Sequence, residues 1–139
     1  MKAPNTLEPR RFTQTAQIEP TALNGKRIKI RVSEGSIKSG GLFAASYLLY
    51  KVKTEGDSLD YTIQRKDADF YLLRKILVKN FPYKIVPPLP AKKKKETEKA
   101  IKKREKYLTR FMSGIARCEL FKSSPFLIEW LKNDDIKDF

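Results

Sequence analysis

The segment Phe81-Pro82-Tyr83-Lys84-Ile85-Val86-Pro87-Pro88-Leu89-Pro90-Ala91-Lys92 constrains the chain most. A proline ring fixes φ near −65° and removes an N–H donor, so none of its four prolines fits a helix interior or a central strand. Pro87 and Pro90 stand at a Pro-x-x-Pro spacing, which predicts a stiff, extended polyproline II path. A helical pattern beginning near Ala68 precedes this spacer, and the run Lys92 to Lys95 after it passes into a second helical pattern that contains Arg104. A rigid spacer ending in cations between two helices can form one wall of an anion pocket. On composition alone the same stretch is a proline loop beside a solvated charge run.

The flanking segments predict an α+β unit. In Arg27-Ile28-Lys29-Ile30-Arg31-Val32 apolar and basic residues alternate, which predicts a strand with Ile28, Ile30 and Val32 turned to the core, followed by a loop over Ser33 to Gly41. Leu48, Tyr50 and Val52 give a second strand its apolar face. After the turn Glu55-Gly56-Asp57-Ser58, Leu59, Tyr61 and Ile63 give a third, paired antiparallel with the second as a hairpin. Such a three-stranded antiparallel sheet needs a cover, and three to four helices supply it.

The first helix is predicted to start at Asp67 to Asp69, where the two aspartates suit an N-cap and a first turn, and to end at Asn80 ahead of Pro82. Ile101, Leu108, Phe111, Met112 and Ile115 predict a helix of about 20 residues with Arg104 at the edge of its buried stripe and Gly114 as a local weakness. Ser124 as N-cap and Pro125 at the first position open a last helix, with Phe126, Leu127, Trp130 and Leu131 turned inward. Residues 1–24 read as a flexible arm, 25–132 as the folded domain, and 133–139 as a C-terminal tail.

Residue types exclude much chemistry. The 139 residues include no histidine and one cysteine, Cys118, so an internal disulfide, a Cys/His zinc site and imidazole base catalysis are all ruled out. No serine or threonine has a base beside it in a recognisable motif, and Gly40-Gly41 does not open a helix after a strand as a phosphate loop would. The expectation is a non-enzyme with neither metal nor cofactor. The longest nearly apolar run, Gly41 to Tyr50, falls well short of the roughly 20 residues needed to cross a bilayer, and no signal-peptide core follows Met1, so the expected place is cytosolic or at a membrane surface.

Thirty Lys+Arg against sixteen Asp+Glu give a net charge of +14. Half of that excess lies between Lys92 and Arg110, where ten cations face Glu96, Glu98 and Glu105. Each basic side chain near an anionic bilayer contributes about 1 kcal/mol, screened by salt. Nucleic acid would give the same salt response, so charge does not choose between these partners.

The order of elements does. Arg65-Lys66-Asp67-Ala68-Asp69-Phe70, Val86-Pro87-Pro88-Leu89-Pro90-Ala91-Lys92, Arg104-x-x-x-Leu108-x-x-Phe111 and Ser124-x-x-Leu127-x-x-Trp130-Leu131, following three strands, resemble a PX (phox-homology) domain of the sorting nexin type over about residues 25–132. The resemblance implies a phosphoinositide-binding, membrane-targeting module in endosomal trafficking. It would be cytoplasmic and peripheral on endosomal membranes, with phosphatidylinositol 3-phosphate as the expected lipid, cargo or sorting-complex proteins as further partners, and no nucleic acid.

In that family an arginine just before a tyrosine, in an Arg-Arg-Tyr-Ser-Asp-Phe motif, grips the 3-phosphate and the tyrosine packs on the inositol ring. The matching positions here are Lys66 and Asp67. Lys92 and Arg104 match the cations that meet the other phosphates and the inositol hydroxyls, and Arg65 is an alternative third ligand if a slip or bulge turns it outward. Lysine lacks the two-pronged geometry of guanidinium, and Asp67 sets an anion near a phosphate. The implied affinity is therefore weaker or differently selective than the family's usual one. The loop that inserts into the membrane in the family carries Lys93, Lys94 and Lys95 here in place of a large apolar wedge, which implies electrostatic, reversible contact. The departure at Asp67 also supports an alternative, a PX domain with a degenerate lipid pocket that works as a protein-recognition surface.

Overall fold

The structure is a computed structural model that describes residues 23–42, 45–57, 59–91 and 97–133. Three strands, β1 (Ile28–Lys38), β2 (Tyr47–Gly56) and β3 (Leu59–Lys66), are followed by four helices, α1 (Asp67–Asn80), α2 (Glu98–Ala116), α3 (Glu119–Lys122) and α4 (Pro125–Lys132). The strands form one antiparallel sheet in the order β1-β2-β3. Val52 stands opposite Val32 on one side and Ile63 on the other, so the predicted apolar alternation becomes one continuous inner face of Ile30, Val32, Leu48, Tyr50, Val52 and Ile63.

The first strand outlasts its expected end. In place of a loop from Ser33, β1 continues to Lys38 through a register shift between Ser33 and Ser36, with Glu34 at φ 52°. An extra residue in one strand produces such a bulge and bends it. The bend presses Gly35 against α2: a Cβ there would lie 2.7 Å from Ile101 Cγ2 and 2.9 Å from Glu105 Oε2, and the Gly35 N–H donates to that oxygen at 2.8 Å. The glycine that reads as a loop residue is thus a close-approach residue.

Helix α2 runs along the open edge of β1. The Thr109 hydroxyl accepts the Val32 N–H at 3.0 Å and donates to the Val32 carbonyl at 3.2 Å, occupying edge groups that would otherwise be left unpaired. The helix starts are capped locally. Thr97 Oγ1 accepts the Ala100 N–H at 3.1 Å, and Ser124 Oγ accepts the Leu127 N–H with Pro125 as the first helical residue, as its sequence predicts. At α1 the cap position is Lys66 and not an aspartate: Asp69 accepts the Lys66 N–H at 2.7 Å, which leaves the Asp67 carboxylate for another task.

The core joins sheet to helices through aromatic rings. Phe70 meets Tyr50 edge-on at 5.8 Å and Trp130 at 4.9 Å, and all three are fully buried. Rings of this size contribute roughly 1.5–3 kcal/mol each through burial. The Trp130 N–H donates to the Asp69 carbonyl at 3.1 Å, fixing α4 to the first turn of α1. Leu23 also lies in this core, Asn24 Nδ2 donates to the Glu119 carbonyl at 3.1 Å, and the Gly25 N–H donates to Glu119 Oε1 at 2.6 Å. The folded unit therefore reaches at least two residues ahead of Gly25. Residues 1–22 of the expected arm, and 134–139 of the expected tail, lie outside the described residues.

The proline spacer has neither helix nor strand over Phe81–Ala91. An extended proline path makes no internal hydrogen bonds, so its carbonyls need outside donors. Arg74 Nε donates to the Pro87 carbonyl at 2.9 Å, the Tyr71 hydroxyl donates to that of Pro90, and Arg104 Nη1 donates to that of Ala91 at 2.9 Å. At Gly114 a Cβ would sit 2.7 Å from Pro87 Cγ, so the weak point in α2 is where the spacer lies against the helix.

Candidate functional site

The site forms where β3 passes directly into α1. Strand alternation sends consecutive side chains to opposite faces, and the β2–β3 register runs unbroken from Gly56 opposite Leu59 to Leu49 opposite Lys66. Arg65 therefore stays on the inner face with Ile63. It is 1% exposed, Nε donates to the Trp130 carbonyl at 2.9 Å, Nη1 to the Gln64 carbonyl at 2.8 Å and Nη2 to the Asn133 carbonyl, and the guanidinium lies 5.3 Å from the Trp130 ring centroid. The slip that would expose it does not occur. Its guanidinium ties the end of the sheet to α4 and does not join the site.

Lys66 points outward, with its ammonium 4.6 Å from the Tyr47 ring centroid. That contact is a cation–π interaction of about 0.5–1 kcal/mol on an exposed surface, weak enough to exchange for an anion.

Asp67 turns toward α2. Arg104 Nη2 donates to Oδ1 and Oδ2 at 3.1 and 3.0 Å, and Nε donates to Oδ1 at 3.2 Å. The Tyr50 hydroxyl donates to the same Oδ1 at 3.1 Å. Arg104 Nη2 also donates to the Tyr71 hydroxyl at 2.9 Å, and Nη1 holds Ala91. Arg104, expected at the stripe's edge, is 7% exposed and bonded through all three nitrogens. Burial works to lower its pKa, and the Tyr71 hydrogen bond and the Asp67 charge outweigh it, so Arg104 stays above its ordinary value and fully charged. Tyr50 is pushed well above the usual phenol range, first by burial and then by the Asp67 charge, and remains a neutral donor.

The structure thus brings Asp67 and Arg104 together, while Lys66, next to Asp67 in the chain, is turned to the Tyr47 ring. Lys92 to Lys95 lie outside the described residues, but Ala91, immediately before Lys92, gives its carbonyl to Arg104. Sequence reasoning missed Tyr47, Tyr50 and Tyr71. From the sequence Tyr50 belongs to the core, which it does, and no local pattern marks the Tyr50 and Tyr71 hydroxyls that reach the site. Among the described residues no helix is long and apolar enough to cross a membrane.

Against known proteins, a PX domain family model matches residues 53–134. Sorting nexin-4 of Cryptococcus neoformans is 30% identical over 142 aligned positions, covering 94% of this chain and 29% of that protein. Sorting nexin MVP1 of Saccharomyces cerevisiae is 28% identical over 109 positions, 73% of this chain and 21% of that protein. The chain therefore spans less than a third of these relatives' lengths. The X-ray structure of a designed CISK-PX domain superposes with a TM-score of 0.64 over 74% of this chain and 97% of that one, at 24% identity, a likeness of fold. With the strand order, the proline spacer and the matched family region in agreement, the chain belongs to the PX domain family.

Proposed function

We propose that this domain is the phosphoinositide-binding, membrane-targeting module of a sorting-nexin-like protein that works on endosomal membranes, with phosphatidylinositol 3-phosphate as its lipid and no enzymatic activity. The observation that carries the reading is the convergence at Arg104 of the head of α1, the end of the proline spacer and α2. A headgroup seated there meets Lys66 from the strand–helix junction, Lys92 from the spacer's end and Arg104 from α2, while Lys93, Lys94 and Lys95 lie against the anionic surface. Arg65 has no part in it. Asp67 is the cost: a phosphate about 5 Å from a carboxylate is disfavoured by some 1–3 kcal/mol at intermediate dielectric, so binding is weak and salt-sensitive.

Lys92→Ala and Lys66→Ala test this. Each reduces binding to vesicles containing phosphatidylinositol 3-phosphate more than binding to phosphatidylserine vesicles of equal charge. Equal loss on both vesicles leaves only unspecific attraction and removes the proposal.

One observation favours a second reading. Because Asp67 already satisfies Arg104, the pocket has an internal occupant, as expected if the domain recognises proteins and not lipid. Vesicle binding with no dependence on the phosphoinositide would favour that reading.

A further inference from the structure

A second surface lies on the other side of α2. Arg31 of β1 and Lys102, Lys106 and Arg110 of α2 line an open groove of about 430 Å³. The three helix cations recur every four residues and so form one stripe. All four are exposed, and among the described residues the side chains of Arg31, Lys102 and Lys106 have no hydrogen-bond or ion-pair partner. The one carboxylate in the groove, Glu105, is held by the Gly35 N–H.

Arg110 also borders a second groove, of about 350 Å³, walled by Pro87, Pro88 and Pro90 on one side and Tyr107 and Phe111 on the other. Its lining is almost wholly apolar, and the Arg110 guanidinium stands 5.8 Å from the Tyr107 ring centroid at the boundary. An apolar slot therefore runs into a cationic trough, with Arg110 common to both.

We propose that this composite groove is a docking site for a linear peptide with an apolar anchor followed by a short acidic run. The anchor fills the slot between spacer and helix, and the carboxylates pair with Arg110, Lys106, Lys102 and Arg31. Lys102 and Arg110 are about 12 Å apart along the helix axis, the reach of roughly four extended residues. Charge complementarity and a lined apolar slot match a peptide better than a bilayer. Lys102 and Lys106 each lie two residues from Arg104, about 200° around the helix, so they face away from any membrane that Arg104 faces. The site is separate from the lipid reading and does not depend on it.

The test is fluorescence anisotropy on the intact chain at about 0.15 M salt, with a labelled peptide carrying a Leu-Phe pair followed by four glutamates. Two controls replace the glutamates with glutamine or the Leu-Phe pair with two serines. Each control binds about tenfold more weakly or worse, a loss of about 1.4 kcal/mol. Lys102→Glu combined with Lys106→Glu, both at exposed helix positions, loses the peptide to a similar degree and keeps phosphoinositide-vesicle binding, whereas Lys92→Ala keeps the peptide. Equal binding of the glutamine or serine control overturns the proposal. So does a parallel loss of peptide and vesicles in the double variant, or a DNA duplex that binds more tightly than the peptide and responds identically. If Lys92→Ala leaves vesicle binding intact, the lipid reading falls and this one stands.

Discussion

Asp67 holds the Arg104 guanidinium through both carboxylate oxygens, across a sequence separation of 37 residues. The resemblance matches this position to a tyrosine that packs on the inositol ring; here the side chain supplies an internal anion. The pair serves the fold by joining α1 to α2, and in the proposed lipid site it would stand in the way of an external phosphate.

Stability and lipid binding therefore move in opposite directions at this residue. Asp67→Asn leaves the largely buried Arg104 with Ala91 and Tyr71 but without its counter-charge, which destabilises the fold by about 1–3 kcal/mol. The same change frees the guanidinium and removes the repulsion, so binding to vesicles containing phosphatidylinositol 3-phosphate rises severalfold. Chemical denaturation and vesicle sedimentation on one preparation check both signs.

Arg65 behaves as a core residue. Arg65→Ala removes donors from the Trp130, Gln64 and Asn133 carbonyls and leaves a cavity beside the Trp130 ring, costing about 3 kcal/mol or more. Arg65→Lys recovers little, because one ammonium cannot reproduce the fork. Both variants, measured below their melting temperatures, bind vesicles as the parent does.

Thr109 guards the edge of the sheet. Thr109→Val keeps the shape and removes the hydroxyl that serves both backbone groups of Val32, so stability falls by about 1–3 kcal/mol, while Thr109→Ser falls by less. Thermal melts of the two variants separate the hydroxyl from the methyl.

Glu119 gives the fold an acid-sensitive contact. The Lys122 hydrogen bond, and then the Gly25 N–H, hold its carboxyl below the ordinary value of 4.5. The folded state thus binds the proton less readily than the unfolded chain. Its contribution is complete above about pH 4.5 and is lost as pH falls through the folded-state value. The difference in melting temperature between the parent and Glu119→Gln is largest near neutral pH and closes as the medium is acidified through the folded-state value.

Much of this architecture is visible in local periodicity. The alternation of Ile28, Ile30 and Val32, the Leu59-Tyr61-Ile63 hairpin partner and the Ser124-Pro125 helix start all survive because a two-residue or four-residue pattern is enough to set them. The strand parity of Ile63 also puts Arg65 inside, against the ordinary preference of guanidinium for water, and the carbonyls of Trp130 and Asn133 that reverse this preference are more than sixty residues away. Distance in sequence hid the Asp67–Arg104 pair as well. The bulge at Glu34 and Gly35 was hidden for a different reason: glycine is as common in loops as at points where a helix must come close.

The passage from β3 to α1 without a loop gives each residue a fixed destination: Arg65 inside, Lys66 outside, Asp67 to α2. Substitution can alter the chemistry of any one of them, but the insertion or deletion of a single residue between Ile63 and Asp67 would trade their places, burying an ammonium and exposing a guanidinium. The chemistry this junction offers can thus change by amino-acid replacement, while its length is locked by the core beneath it.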